Sequence, residues 1–422
     1  MKNNSSRFPI RLLLREHGIP GGCETVNIQL VKEFAELVDL VVWVMPISRL
    51  NYFQQILPPS DRLIYEPQFW SRETWIQNSA KKAEAFVRQK SPQTHPTVQN
   101  LRHALWDLRL KWIVHRYKIT HSFCSWVHVT VPRINVPTGV MVMDVMWKHF
   151  PDSFGHGTQD WVDCRFRNWL KKAAVLFPVS ETTTQDIKRF YPWYNGPIRV
   201  VPHGALSEQC NGGSSAPSPE TSDSRPIFYY PARAGINKDH LTLFKACEKL
   251  FAKGLDFDLV LTGHNTEHFA NRHPYDDDNA IEACRASLQA NRILFQGRIK
   301  SRGYCTRSEV DSLYKCCTAV VLPSTFEGFG LPLIEALESG AEIICSDIPP
   351  YREQLLRHHC EDQVRLFPAG DSTALAAEME KVLIASRQPL WRKRSQSGAF
   401  ERWTWKDAAT AYLESLAALT PA

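Results

Sequence analysis

Two carboxylates, Glu327 and Glu335, stand eight residues apart on either side of a loop that contains Gly328 and Gly330. A carboxylate accepts two hydrogen bonds, so it suits the paired hydroxyl groups of a sugar. The helix expected after the loop offers free N–H groups and a positive dipole end, which attract phosphate, and the glycines would let a ligand approach the backbone. These features predict a sugar-phosphate site. The structural alternative is that Glu327 caps the helix and Glu335 faces water.

The elements around this loop predict a β–loop–α–β unit. Residues 319–322 form an apolar run rich in valine, as in a buried parallel strand. Pro332 and Gly340 stand at the preferred start and end of a helix, and a second apolar strand is expected over residues 341–345. Open α/β sheets bind ligands at the carboxyl ends of their strands, which is where this loop would lie.

A resemblance to a known family is carried by residues 323–336, PSTFEGFGLPLIEA. This segment resembles the E-x7-E signature of retaining glycosyltransferases with the GT-B fold, and most of all that of glycosyltransferase family 4. The resemblance implies an α/β protein of GT-B architecture, with two Rossmann-like domains facing a central cleft. It also implies transfer of a mannose- or glucose-type hexose, with retention, from a nucleotide diphosphate sugar to a hydroxyl of a glycan, a lipid-linked or a small-molecule acceptor.

The resemblance also assigns roles to individual residues. Glu335 would bind the ribose hydroxyls, Glu327 would hold the donor sugar, and Arg233 and Lys238 would grip the diphosphate. We therefore expect neither a metal ion nor a cofactor besides the donor substrate, because fixed cations would stabilise the leaving phosphate. The expected catalytic residues are Glu327, Arg233 and Lys238, and the expected donor-binding residues are Gly22, Gly328, Phe329, Gly330, Leu331 and Glu335.

Lys238 also has an electrostatic argument of its own. If Asn237 capped a helix beginning at about Lys238, the dipole would disfavour this cation by about 0.3–1 kcal/mol. A charge placed against that bias predicts an anionic partner such as a diphosphate. The alternative is a lysine that points to solvent beside Asp239.

The first half of the chain predicts a second β–loop–α–β unit, from a strand at 10–14, a Gly21-Gly22 loop, a helix at 25–37 and a strand at 40–45. The Gly-Gly pair either makes a tight turn or, as the resemblance implies, lies beside the donor phosphate. The dinucleotide fingerprint G-x-G-x-x-G is absent, which argues against a nicotinamide dehydrogenase.

A further strand, expected over residues 140–143, ends at Asp144. The family commonly has a His-Asp pair at this point, whereas Met143 precedes Asp144 in this chain. The role of Asp144 therefore stays open. A nucleotide-sugar epimerase, a phosphorylase or a non-catalytic sugar-nucleotide-binding protein on the same fold are the rival functions.

Composition divides the chain into domains. Residues 207–226 are rich in Ser, Pro and Gly and poor in large apolar side chains, as in a linker. We expect an acceptor-side domain over 1–206 and a nucleotide-sugar-binding domain over 227–399. By resemblance, residues 400–422 form a helix that crosses back to the first domain. Within the second domain, residues 293–297 are expected to form a strand.

One helical face, formed by Leu101, Leu105, Leu108 and Trp112, is bordered by basic residues. Such a helix either packs on the sheet or lies on a membrane surface. The apolar strand candidate at 119–126, which follows directly, favours packing on the sheet, and membrane contact is the alternative.

Composition narrows the class and compartment of the protein. The 422 residues carry a modest net charge of +6 and include eleven scattered cysteines, and the first eighteen residues lack an apolar signal region. These features favour a cytoplasmic protein with reduced thiols, either free in the cytoplasm or held at a membrane surface. No nucleic-acid-binding module is recognisable. The acidic run 276–278 lies in a polar loop and is interpreted as solvated charge, not as a metal site.

Overall fold

The computed structural model describes residues 8–15, 22–68, 95–151, 158–205, 225–270, 279–387 and 403–419, and for residues 95–103 the backbone alone. The Gly21 position and the acidic run 276–278 lie outside the described residues, as does nearly all of the segment predicted to be a linker.

The first sheet has six parallel strands. They are β1 (Phe8–Arg15), β2 (Val38–Pro46), β3 (Leu63–Gln68), β4 (His121–Cys124), β5 (Thr138–Val142) and β6 (Val175–Pro178), in the spatial order β3-β2-β1-β4-β5-β6. The helices are α1 (Gly22–Leu37), α2 (Leu50–Ile56), α3 (His95–Arg116), α4 (Met146–His149), α5 (Thr158–Lys172) and α6 (Glu181–Phe190). Both faces are covered: Leu12 and Leu14 pack with α1, whereas Leu13 packs with α3. Double coverage explains the continuous apolar runs of these strands.

The second sheet repeats the same topology. Its parallel strands are β7 (Ile227–Pro231), β8 (Asp258–Thr262), β9 (Ile299–Ser301), β10 (Ala319–Leu322), β11 (Ile343–Ser346) and β12 (Val364–Phe367), in the order β12-β11-β10-β7-β8-β9. The helices are α7 (His240–Ala252), α8 (Asn279–Ala290), α9 (Arg292–Phe295), α10 (Arg307–Cys316), α11 (Leu331–Ser339), α12 (Pro349–Arg357) and α13 (Ser372–Ser386). Counted within each half, both sheets have the order 3-2-1-4-5-6, which is that of a doubly wound dinucleotide-type fold.

The last helix, α14 (Trp405–Ala417), packs against α1 and the first sheet, not against the second. Thr404 and Asp407 form a capping box at its start, which satisfies two otherwise unpaired backbone N–H groups. A Cβ on Gly204 would lie 2.1 Å from the backbone nitrogen of Trp405, so only glycine allows the chain to cross here. Tyr412 then fills the first core among Phe34, Phe123 and Phe177, with ring centroids 4.9–6.4 Å apart.

The prediction of a strand over residues 293–297 was wrong. Residues 292–295 form the short helix α9, and Gln296 and Gly297 adopt positive φ values of 44° and 72° before the edge strand β9 begins. An apolar run this short fits a helix and a strand equally well. Phe295 is buried and Leu294 is partly buried against the second core, whereas Ile293 is 88% exposed, and a single helical turn allows this arrangement.

The prediction that α3 packs on the first sheet is confirmed, but the prediction that it packs through Leu105, Leu108 and Trp112 was wrong. Leu110 and Ile113 are fully buried against the first sheet, while Leu105, Leu108 and Trp112 of the predicted stripe are exposed. The side chain of Leu101, the remaining member of that stripe, lies outside the described residues. The helix carries a second apolar stripe at helical spacing, formed by Trp106, Leu110 and Ile113 and continued by Tyr117 just after the end of the helix. The periodicity of the sequence is compatible with burial of either face. In the structure, the face with Leu110 and Ile113 packs against the sheet.

Candidate active site

The candidate site lies at the point where the strand order of the second sheet reverses. β7 and β10 are neighbours there, although other strands and helices separate them in the chain. Arg233 follows β7 by two residues and Glu327 follows β10 by five. The carboxyl ends of parallel strands meet at one edge, and such a reversal point is where open α/β sheets bind ligands. The fold thus brings the predicted residues Arg233, Lys238 and Glu327 to one place.

Lys238 and Glu327 form an ion pair, with 2.5 Å between Lys238 Nζ and Glu327 Oε1. The side chains are 14% and 10% exposed, so the pair is largely shielded from water. Backbone contacts fix the two loops: Thr325 N donates to Asn237 O (2.9 Å), and Asn237 Nδ2 donates to Phe326 O (3.0 Å). Glu327 therefore does not cap α11, which contradicts the structural alternative for this residue.

The predicted surroundings of Lys238 need correction. α7 begins at His240, and its N-cap is Asp239, whose side chain accepts from Thr242 N at 3.2 Å. Lys238 ends a 3-10 turn before that helix. Lys238 therefore lies before the first turn of α7 and not within it, so it does not oppose the helix dipole there. Its side chain does not point to solvent, because it pairs with Glu327.

Asp144, just after the end of β5 in the first domain, faces the same cluster. Burial raises the pKa of Asp144 above its ordinary value, although the Met146 backbone N–H, Arg233 and Lys238 act in the opposite direction. Glu327 adds to the increase. Two carboxylates and two cations, drawn from both domains, therefore share one electrostatic environment. Met143, at the position where the family has His, contacts Cys23, with 3.2 Å between the two sulfur atoms.

The loop after β10 packs tightly against the first domain. A Cβ on Gly328 would lie 1.8 Å from Met143 O, so the loop can approach this closely only because residue 328 is glycine. Ser180 Oγ donates to Gly328 O (2.7 Å) and also accepts from Thr183 N (3.0 Å), as expected for the N-cap of α6. The Ser180 side chain thus caps α6 and also joins the two domains.

Glu353 completes this contact between the domains. It lies in α12 of the second domain, and its carboxylate accepts from Glu181 N (2.9 Å) and Thr182 N (3.2 Å) in the first turn of α6. A carboxylate at a helix N-terminus is stabilised by the free N–H groups and the dipole. The sequence carried no signal for this pairing, because the partners are 172 residues apart.

Phe329 and Leu331, both predicted to bind the donor, turn their side chains toward the first domain. Phe329 is 4% exposed and belongs to the core that contains β1, α1 and α14, and Leu331 packs against it. The ring centroid of Phe329 lies 4.9 Å from that of His203. Burial lowers the pKa of His203 to about 3, so this ring is neutral. In this part of the loop, the backbone of 328–330 therefore remains a candidate for contact with a donor, whereas the side chains of Phe329 and Leu331 do not.

Glu335 is 12% exposed and has a partner for each oxygen. Arg307 donates to Oε1 (2.6 Å) and Tyr314 OH donates to Oε2 (2.8 Å). The alternative of a solvated Glu335 is therefore wrong. Arg307 and Tyr314 come from α10, which packs beside α11, and sequence analysis missed both of them.

Gly22 begins α1, and its neighbour Glu24 is a buried carboxylate that sequence analysis also missed. Glu24 pairs with Arg49 and accepts from Tyr52 OH at 2.9 Å. Burial and then Glu24 raise the pKa of Tyr304, which comes from the second domain. The Glu24 carboxylate therefore lies close to the second domain. Its position just after Gly21-Gly22 is the feature of the sequence that could have marked it as a candidate site residue.

The part of the chain that carries most of this site matches a known protein family. Residues 215–397 match the model of the family Glycosyl transferases group 1. Just under half of the chain is therefore similar to this family. The matched segment includes all of the second sheet and the loop that carries Glu327.

Relatives of the chain include bacterial mannosyltransferases. The serotype-specific mannosyltransferase WbdA of Escherichia coli is 25% identical over 278 residues, which are 62% of this chain and 31% of WbdA. The O-antigen chain mannosyltransferase RfbU of Salmonella typhimurium is 48% identical over 48 residues, 11% of this chain and 14% of RfbU. The match spans about a third of the length of WbdA.

Solved structures of known proteins establish the fold of the two domains. HepE of Anabaena, solved in complex with UDP-glucose, has a TM-score of 0.66 at 14% identity and covers 97% of this chain and 100% of its own. A glycosyltransferase of Rickettsia africae has a TM-score of 0.64 at 14% identity and covers 97% and 98%. The expected GT-B architecture with two Rossmann-like domains is confirmed.

Proposed function

We propose that the protein is a retaining glycosyltransferase of the family 4 type, which transfers a mannose- or glucose-type hexose from a nucleotide diphosphate sugar to a hydroxyl of a glycan, lipid-linked or small-molecule acceptor. One observation carries the proposal: Arg233, Lys238 and Glu327 meet at the strand-order reversal of the second sheet, inside the segment that matches the family Glycosyl transferases group 1. The serotype-specific and O-antigen chain mannosyltransferases among the relatives favour mannose and polysaccharide biosynthesis.

In this mechanism the cations act on the leaving group. Arg233 and Lys238 would bind the diphosphate and stabilise the negative charge that grows as the bond between the sugar C1 and the phosphate oxygen breaks. Lys238 would then share its charge between the phosphate and Glu327. Glu327 would accept hydrogen bonds from the hydroxyls of the donor sugar, which its shielded position and fixed loop favour.

The acceptor would attack from the face that the phosphate leaves. Its oxygen forms the new bond to C1, and its proton passes to the leaving phosphate oxygen, so the anomeric configuration is retained. No divalent ion is needed in this proposal. Glu335 would bind the ribose hydroxyls with its remaining lone pairs, while Arg307 and Tyr314 hold its orientation.

A binding protein without turnover is the second candidate, favoured by Met143 at the position of the family histidine. The test begins with thermal-shift measurements on a panel of nucleotide sugars that includes GDP-mannose and UDP-glucose. Mass spectrometry would then follow product formation with extracted glycans and lipid-linked acceptors. Stabilisation with transfer supports the enzyme, stabilisation without transfer to any acceptor supports the second candidate, and nucleotide-sugar epimers formed without an acceptor would indicate an epimerase.

A further inference from the structure

The outward face of α3 exposes large apolar side chains. Leu105, Leu108 and Trp112 are 53%, 62% and 49% exposed and follow each other at i, i+3 and i+7, so they form one stripe along the helix. Leu110 and Ile113, on the opposite face, are buried and pack against the first sheet. The stripe is therefore not needed for folding of the described part of the chain.

A groove opens beside this stripe, between α3 and α5. The connection from β4 to β5 (residues 125–137) runs back across this side of the sheet without forming a helix, and this leaves the two helices apart. Its Thr130 side chain accepts from Arg165 on α5, and the backbone nitrogen of Arg133 donates to Asp107 on α3 (3.0 Å). The groove has a volume of about 1080 Å³.

The lining of the groove is strongly basic. Lys111, Arg133, Arg165 and Lys172 line it together with His115 and Trp161, and none of the lining residues that the structure describes is acidic. Two acids on the neighbouring helices α3 and α5 have basic partners: Asp107 lies 3.8 Å from Arg133, and Asp163 pairs with Lys148 and Arg167. Asp160 is an exposed acid of α5. Four cations therefore surround a space large enough for phosphate groups, and one of them, Arg133, is shared with Asp107.

We propose that the stripe and the groove together form a docking surface for an anionic phospholipid bilayer. The groove would take lipid phosphates, and Leu105, Leu108, Trp112 and the half-exposed Trp161 would enter the interface between headgroups and acyl chains. The basic lining of the groove is complementary in charge to the phosphates of an anionic bilayer. The adjoining apolar side chains distinguish a bilayer from other anionic partners. A soluble polyanion would use the cations but leave the leucines in water, whereas a bilayer interface takes basic, aromatic and aliphatic side chains together.

The orientation of α3 places this surface beside the cleft between the two domains. α3 leads into β4 after four residues, so its carboxyl end lies at the amino edge of the first sheet and its start lies toward the edge where the strands end. That second edge faces the candidate active site. A bilayer bound along α3 would thus lie beside the opening of the cleft.

Vesicle co-sedimentation of the full chain tests the proposal. We expect binding to phosphatidylcholine vesicles that contain a third of phosphatidylglycerol, little binding to phosphatidylcholine alone, and weaker binding in high salt. The double variant Lys111→Gln/Lys172→Gln should lower the partition constant by about 25-fold, because each basic residue near an anionic surface contributes about fivefold. Leu105→Ser/Leu108→Ser should lower it by about tenfold or more, because their exposed apolar area would otherwise enter the interface.

Matched variants in the second domain serve as controls. Lys245→Gln removes an exposed lysine of α7, and Ile293→Ser removes the 88% exposed isoleucine of α9; neither should change vesicle binding. Absence of binding to anionic vesicles, or equal loss in the controls, would overturn the proposal. So would binding that inorganic polyphosphate abolishes and that the two leucine substitutions leave unchanged, since that result indicates a soluble polyanion. Nucleotide-sugar binding is measured in parallel, and because these residues lie outside the cleft, its outcome judges the proposed function separately.

Discussion

Lys238 Nζ lies 2.5 Å from Glu327 Oε1, and the two residues belong to different loops at the reversal point of the second sheet. Because both side chains are largely shielded, each compensates a charge that would otherwise be left with little solvation. The pair therefore links the stability of the unliganded protein to the same groups that we assign to catalysis.

Lys238→Ala should destabilise the unliganded protein by about 1–3 kcal/mol, because Glu327 would be left unpaired. This result differs from the expectation based on sequence, which placed Lys238 against a helix dipole and predicted a neutral or stabilising change. Urea unfolding provides the measurement, with Lys245→Ala as the exposed control. If the double variant Lys238→Ala/Glu327→Ala lost the sum of the two single effects, the pair would carry no coupling.

The same substitution should lower turnover by about 10²–10³-fold, the scale for loss of one preorganised charge-stabilising donor. Arg233→Ala should behave alike, and the combined loss should be less than additive because both cations serve one diphosphate. Initial rates at saturating donor test this prediction. Normal turnover by both single variants would show that residues other than Arg233 and Lys238 stabilise the charge of the leaving diphosphate.

Glu335→Ala should mainly weaken nucleotide binding, whereas Glu327→Ala should mainly lower turnover. The two carboxylates have separate partners, Arg307 with Tyr314 for Glu335 and Lys238 for Glu327, so their effects should be separable. Calorimetric titration with the nucleotide diphosphate measures the first effect and initial rates measure the second. Equal nucleotide affinity of wild type and Glu335→Ala would contradict the ribose assignment.

Gly328→Ala should separate the loop from the first domain, since its Cβ would meet Met143 O at 1.8 Å. We expect loss of turnover and a larger radius of gyration in small-angle X-ray scattering, with each domain still folded. Gly254→Ala serves as the control for local strain, because Gly254 has a positive φ of 77° and an added methyl group would meet only open space. An unchanged radius with full activity would show that this close approach is dispensable.

Asp144 should make stability fall as pH rises. Its folded pKa is raised by burial, so the folded state holds the proton in a range of pH where the unfolded state has lost it, and ionising the buried group is unfavourable. Relative to Asp144→Asn, the wild type should therefore lose stability from about pH 4 upward until the folded group has ionised. Urea unfolding at a series of pH values above this point measures the difference.

Asp163 provides the control of opposite sign. Burial opposes its ionisation, but Lys148, Tyr191 and Arg167 lower its pKa to about 2. Compared with Asp163→Asn, the wild type should hold its extra stability above the ordinary carboxyl pKa and lose it as pH falls below about 4. Parallel slopes for the two variants would contradict the assigned environments.

Transfer should proceed with retention and survive chelation. NMR of the first-formed product reports the anomeric configuration before any equilibration, and rates are compared with and without EDTA. An inverted product, or activity that EDTA abolishes and manganese restores, would defeat the proposed mechanism.

The sequence by itself determined the local units. The β10–loop–α11–β11 segment could be predicted because Pro332 lies at the start of α11 and Gly340 adopts a left-handed conformation at its end, and both preferences act within a few residues. Ser180 as a helix cap was predictable for the same reason. The apolar strands and their double burial likewise follow from composition and period.

The tertiary structure alone decided how these units meet. Lys238 and Glu327 are 89 residues apart, and Glu353 and Glu181 are 172 apart, so their pairing depends on strand order and on the packing of the two domains. The buried face of α3 was undetermined for a related reason: its sequence offers two apolar stripes of similar strength, and only the neighbouring sheet favours one of them. Local preferences specify elements, whereas long-range burial and charge compensation select among their arrangements.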